Sequence, residues 1–212
     1  MASRKPARST KRATAKPSSK KSATAAPPSA PRRPAAPKPP APAFAAAFAP
    51  RAPGERRYWL VKSEPEAFSW DDLEASADRT TCWDGVRNFQ ARNFMRDGMR
   101  RGDLVLFYHS NAEPPAAIGV CEVVREAYPD HTAFDDADPH FDPKSRRDAP
   151  TWMMVDLRAR ERFAQPVTLP RLRAEPTLAG MELLKRGSRL SVQPVEPVHW
   201  EIVVRIGRGD LE

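Results

Sequence analysis

The feature that most limits how this chain can fold is a break in composition near residue 54. Residues 1–54 carry twelve Lys and Arg and no Asp or Glu. All 27 acidic residues therefore lie in residues 55–212, which hold 35 − 12 = 23 basic residues and a net charge of −4. The formal charge of +8 for the whole chain averages two unlike parts. The first part also holds 12 of the 24 prolines but only two of the 17 aromatic residues, Phe44 and Phe48. A segment so rich in Ala, Pro, Ser and Lys buries too little apolar surface to offset the entropy lost on ordering. The expectation is a disordered basic tail over 1–54 and one domain over 55–212. The second part is long enough for a core of its own.

No apolar run approaches the ~18 residues of a membrane span, so no membrane association is expected. The acid-poor, Arg- and Ser-containing start leaves a transit peptide open. Cys82 and Cys121 show no metal-ligand spacing and read as reduced thiols.

Within the domain, Arg57–Lys62, Thr80–Asp84, Leu104–His109, Ala117–Arg125, Trp152–Arg160 and Leu190–Gln193 read as strands. Val167–Leu172 reads as a short extended piece. The third and fourth strands form an expected antiparallel hairpin around Glu113-Pro114-Pro115. Helices are expected at Trp70–Ala77, after a capping-box-like Ser69-Trp-Asp-Asp72, at Asn88–Gly98, at Gly180–Lys185 and at Pro197–Arg205. Residues 127–150 read as a long surface excursion. Five or six short strands without β-α-β alternation predict an α+β fold, a small β-barrel with peripheral helices rather than a doubly wound sheet.

No Walker loop, GxGxxG, HExxH, CxxC or GxSxG motif is present. His131, Asp135, Asp136, Asp138, His140 and Asp142 form an acidic, His-containing run, but its spacing matches no metal loop, and capped turns in a solvated loop explain it better. His109 and Ser110 are adjacent, so on a strand they face opposite ways and cannot form a nucleophile pair. On the Asn88–Gly98 helix, Arg92, Arg96 and Arg100 recur every four residues. That stripe is either a solvated face eased by Asp97 and Asp103 or a contact for a polyanion. Strand ends bring Ser63, Glu64, Trp83, Asp84 and Asn88 into reach of one another if the barrel closes. An aromatic plane with polar groups at its edge can hold a base taken out of its stack. The residues alone favour Trp83 and Tyr108 as ordinary core aromatics over a base platform.

Five ungapped blocks alter that balance: Tyr58-Trp-Leu-Val-Lys-Ser-Glu-Pro65, Cys82-Trp-Asp-Gly-Val-Arg-Asn-Phe-Gln-Ala-Arg-Asn-Phe94, Phe107-Tyr-His-Ser-Asn111, Ala127-Tyr-Pro-Asp-His-Thr132 and Arg189-Leu-Ser-Val-Gln-Pro194. In this order they resemble the EVE domain family, in particular the group of thymocyte nuclear proteins and their bacterial relatives. The resemblance runs over about residues 57–206. It implies a PUA-like small β-barrel of five to six mostly antiparallel strands, related to YTH and ASCH domains. It also implies a non-catalytic pocket that reads a modified nucleobase, with modified cytosine in DNA foremost. Carried onto this chain, it implies that Lys62, Ser63, Glu64, Pro65 and Trp83 line the pocket. Asp84, Gly85 and Asn88 shape its rim, and Tyr108, His109 and Ser110 its floor. Trp152 packs nearby, and Gln193 and Pro194 contribute.

The expected phosphate contacts are Arg87, Arg92 and Arg96, with the tail adding an unspecific grip on nucleic acid. No metal and no cofactor are expected, and the partner is nucleic acid bound by a monomer. The compartment would be the nucleoid-containing cytoplasm of a bacterium or the nucleus of a eukaryote. An RNA-binding module and, more remotely, a metal-dependent nucleotide-processing enzyme stay open as rival readings.

Overall fold

The computed structural model describes residues 42–211; the expected tail over residues 1–41 lies outside the described residues. Six strands form one mixed sheet: β1 (Tyr58–Ser63), β2 (Thr80–Cys82), β3 (Leu104–His109), β4 (Ala116–Pro129), β5 (Met153–Thr168) and β6 (Val192–Val195). Their order is β2-β5-β4-β3-β1-β6. Only β1 and β3 run parallel; every other pairing is antiparallel. The fold is α+β, as expected.

Alternation along the strands feeds two apolar clusters. Trp59 and Val61 of β1, Val105 and Phe107 of β3, Cys121 and Val123 of β4 and Val155 and Leu157 of β5 enter the first. Val192 of β6 and Trp83, just past β2, enter it too, so residues from both outer strands of the sheet share one core. Leu60, Leu106, Tyr108 and Val120 point the other way, under α4 (Pro197–Arg208). There Trp200 stacks on Tyr58 at 4.7 Å. With both faces covered, the central strands read as continuous apolar runs, which is why Leu104–His109 was legible at both ends.

The two longest strands were less legible. β4 and β5 run for 14 and 16 residues, well past the predicted ends at Arg125 and Arg160. Their pairing shifts register four times, and each shift interrupts the polar–apolar alternation on which a strand is recognised. One shift lies at Gly119, where an added Cβ would stand 2.5 Å from the Glu161 carbonyl and 2.6 Å from the Trp70 ring. Of the separate extended piece expected at 167–172, β5 takes only Val167 and Thr168, and the remaining four residues are helical, in α3 (Leu169–Ala174).

α1 (Trp70–Ala75) carries the expected capping box: the Ser69 hydroxyl accepts from Asp72 N–H, and the Asp72 carboxylate accepts from Ser69 N–H. The helix expected over Asn88–Gly98 is α2 (Phe89–Asn93) followed by a turn of π-helix, Phe94–Gly98. At Gly98 an added Cβ would lie 2.6 Å from the Trp59 ring, so the chain needs glycine where it passes β1.

The expected boundary at residue 54 needs correction for residues 42–54. Pro42–Phe48 forms 3-10 turns whose aromatic rings pack on the turn after α2. Phe44 meets Phe94 edge-on at 5.1 Å, and Phe48 stacks on it at 5.5 Å. Arg51 then forms a bidentate pair with the buried Asp103, at 2.6 and 2.7 Å. Asp103 also accepts from Arg57 N–H, Arg100 N–H and the Trp59 indole. Full burial of a phenyl ring is worth about 1.5–3 kcal/mol; the partly buried Phe44 and Phe48 supply a share of that each, and with the Arg51–Asp103 pair they hold a short strap that its composition would leave free.

Candidate nucleic-acid interface

Parallel strands β1 and β3 end side by side, with Ser63 opposite His109. That register brings the two expected loops together. Ser110 N–H donates to the Ser63 carbonyl at 2.8 Å, and the Asn111 amide donates to the Glu64 carboxylate at 2.7 Å. The Ser63 hydroxyl donates to the Phe68 carbonyl at 2.6 Å. His109 Nε2 accepts from Trp70 N–H at 3.2 Å, which requires that nitrogen to be unprotonated. Burial lowers the His109 pKa and favours this neutral ring. Lys62 is half-buried, and the same desolvation lowers its pKa against the opposing pull of Glu182. Pro65 follows in the turn that leaves β1.

Trp83 connects to this corner through its ring. It lies edge-to-face with Phe107 at 5.5 Å and with Phe68 at 6.5 Å. It is also only 8% exposed, so in this conformation it is a core aromatic rather than an open platform. Tyr108 does not join the corner. It belongs to the cluster on the other face of the sheet, where burial pushes its hydroxyl up to about 12. Adjacent strand residues face opposite ways, and the floor expected from Tyr108-His109-Ser110 had to break at this residue.

A second group assembles around Trp152. The Phe89 ring lies 4.9 Å from it, the Arg87 guanidinium 5.4 Å and the Arg92 guanidinium 6.0 Å, and Trp152 Nε1 donates to Asp142 at 2.7 Å. Asn88 is the N-cap of α2, accepting from Gln90 and Ala91 N–H groups. Gly85 has a φ of +69° and supports the His140 ring, which would meet an added Cβ at 3.0 Å. Phe89 is 60% exposed beside two cations, yet nothing in the sequence reading singled it out. At the first turn of α2 its side of the helix is not covered.

The expected phosphate contacts are partly occupied within the protein. Arg87 donates to Asp130, the Thr132 hydroxyl and the His140 carbonyl at 2.7–2.8 Å. Asp130 also accepts from Gly85 N–H and Thr132 N–H, so this buried carboxylate ties the loop after β2 to the turn after β4. Burial pushes its pKa up, but the bonds from Thr132 and Arg87 outweigh that and hold the group below the usual carboxylate range. Arg92 bonds the Thr151 carbonyl and Asn93, and stacks over Phe89 at 5.0 Å. Arg96 is paired with Asp97 at 2.7 Å. Arg96 is therefore countered by Asp97, whereas Arg92 is held by neutral acceptors and keeps its charge.

The acidic run at 135–142 behaves as capped turns. Asp135, Asp138 and Asp142 accept from the N–H groups of Ala137, His140 and Lys144. Gln193 is fully buried and Pro194 half-buried in β6, opposite Leu60 and Trp59. Two surface recesses, of about 550 Å³ beside Tyr58 and Trp200 and about 490 Å³ beneath the 42–57 strap, contain none of the expected pocket residues but Pro194, which lines the second. Among the described residues no helix is long and apolar enough to cross a membrane.

Comparison with known proteins supplies the context for this geometry. The EVE domain model matches residues 57–206. Thymocyte nuclear protein 1 of Rattus norvegicus is 42% identical over 170 residues, which span 72% of this chain and 74% of the relative. A hypothetical protein from Leishmania major superimposes with a TM-score of 0.69 at 44% identity, covering 74% of this chain and 97% of that one. Human THYN1, solved in complex with DNA containing 5-methylcytosine, superimposes with a TM-score of 0.68 at 40% identity, covering 71% and 97%. Matched over nearly all of its described length, the chain belongs to the EVE domain family.

Proposed function

We propose that this chain is a non-catalytic reader of modified cytosine in DNA. The observation that carries the reading is its likeness, at 40% identity, to the human protein solved with 5-methylcytosine-containing DNA. The local geometry supports it. Ser63, Glu64, His109 and Ser110 present hydroxyl, carboxylate and imidazole groups at one corner of the sheet, suited to the edge of a base drawn out of its stack. Trp83 backs that corner and stacks on the base once Phe68 yields. Phe89, Trp152 and Arg92 form an aromatic and cationic shelf for the flanking nucleotides. Lys62, Pro65, Asp84, Gly85 and Asn88 frame the loops between them. The eleven Lys and Arg of residues 1–41 add a salt-sensitive attraction that is blind to sequence.

Competition binding of the full chain to matched duplexes, with and without 5-methylcytosine, tests the reading. One buried methyl group is worth about 0.8 kcal/mol, so the methylated duplex should win by about fourfold. Ser63→Ala should reduce affinity for both duplexes. Equal affinity for the two duplexes, or a stronger preference for matched RNA, would replace the proposal.

A further inference from the structure

The sequence reading placed His131 in the run that ends at Asp142. The fold gives it different neighbours. Trp83 N–H donates to the Val155 carbonyl at 2.7 Å, which extends the β2–β5 pairing by one residue. Trp83 turns into the core, so Cys82 and Asp84 on either side of it share the opposite face. Cys82 Sγ lies 3.4 Å from Asp84 Oδ2. His131 arrives from the turn after β4. Asp130 holds that turn in place, accepting at once from Gly85 N–H, Arg87 and Thr132. Side-chain donor atoms of Cys82, Asp84 and His131 consequently lie within 4.8 Å of one another.

We propose that Cys82, Asp84 and His131 form a binding site for a borderline divalent cation, zinc foremost, with one coordination position open to solvent. Zinc bound at about 2.3 Å to sulfur and 2.0–2.1 Å to nitrogen or oxygen needs ligand atoms ~3.5 Å apart. The Cys82–Asp84 pair already meets that spacing, and the exposed His131 ring closes the remainder by side-chain rotation. One sulfur, one imidazole and one carboxylate suit zinc or cobalt, whereas calcium and magnesium take all-oxygen sites. Asp156 stands opposite Cys82 in the strand register and adds negative charge behind the sulfur. The three ligands come from two separate segments, so a bound cation would staple the loop after β2 to the turn after β4. Asp84 also belongs to the loops of the base-reading proposal, but metal binding is read without DNA, so either proposal can fail alone.

Cobalt titration of the full chain tests it, because a cobalt–thiolate bond has a charge-transfer band that oxygen and nitrogen ligands lack. The wild type should show the band at one equivalent and lose it on addition of zinc. Cys82→Ser should abolish the band. His131→Ala, at an exposed position, should keep the fold and weaken zinc affinity by more than about a hundredfold by calorimetry, beyond the ten- to hundredfold range of outer-shell changes. His140→Ala should leave both readings unchanged. No band in the wild type, a band that persists in Cys82→Ser, wild-type affinity in His131→Ala, or loss of binding in His140→Ala would each overturn the proposal.

Discussion

Two buried aspartates, Asp103 and Asp130, solve the same physical problem in different parts of the molecule. Each carboxylate is essentially inaccessible, each binds one arginine, and each accepts from backbone N–H groups. At Asp103 the ordered strap, β1 and the turn before β3 converge, at the opposite end of the β1–β3 pair from Ser63 and His109. At Asp130 the converging pieces are the loops that carry Asp84, Gly85, Arg87 and His131. The same buried ion pair thus secures the scaffold in one place and aims side chains in the other. Bond type alone does not distinguish them; what is attached to the donors does.

Asp103→Ala should break the comparison most visibly. Removing the carboxylate strands the Arg51 guanidinium and the Trp59 indole N–H, and such losses in buried pairs cost about 3–5 kcal/mol. Urea unfolding should show that loss, while the protein that remains folded keeps its preference between methylated and unmethylated duplexes. Asp130→Ala should cost less, about 2–3 kcal/mol by the same measurement, because fewer donors are orphaned. It should nevertheless remove the duplex preference. If both variants lose that preference to the same degree, the division between scaffold and aim is wrong.

Arg51→Ala should cost less again, about 2 kcal/mol, since Asp103 keeps three N–H donors. Limited proteolysis should then cut within residues 42–54 before the domain opens. pH sharpens the contrast further. Burial pushes the Asp103 carboxyl up, but the bonds from Arg51, Arg57, Trp59 and Arg100 outweigh it and hold the pKa below the usual carboxylate range. A depressed carboxyl pKa contributes stability above its ordinary value of about 4 and loses it as pH falls through the folded value. Asp103→Asn should therefore flatten the acid limb of the stability curve. Phe89→Ala should have the smallest effect on folding, about 0.5 kcal/mol or less, because the ring is mostly in water. Its effect should appear in DNA affinity instead, as about 1–3 kcal/mol of lost stacking.

These contrasts also show what could be read from the chain before its structure. The nearness of Ser63 and His109 was legible because each stands at the end of an unmistakable apolar strand, and the parallel register then brings them together. Tyr108 was misplaced because its block was carried over whole, although alternation sends neighbouring residues to opposite faces. The strap was missed because its partner is not local: Arg51 meets Asp103 across 52 residues, with no periodicity to announce it. Cys82 and Asp84 lacked metal spacing for the same reason, since their third neighbour, His131, lies in another loop. Short-range patterns thus give elements and caps, while tertiary ion pairs and mixed clusters remain hidden until the sheet is assembled.

The position of β1 carries a consequence for how the molecule is made. β1 is the first strand of the sheet, yet it lies between β3 and β6, and β6 is the last strand to be synthesised. A nascent chain can join β1 to β3 once residue 109 has emerged, but the Tyr58–Val61 edge must wait for Val192–Val195. During that interval an apolar strand stands with one edge unpaired, the arrangement most prone to pairing with another chain. Completion of the sheet is thereby deferred until residue 195 is available. A message truncated before β6 should yield an aggregating product rather than a smaller domain.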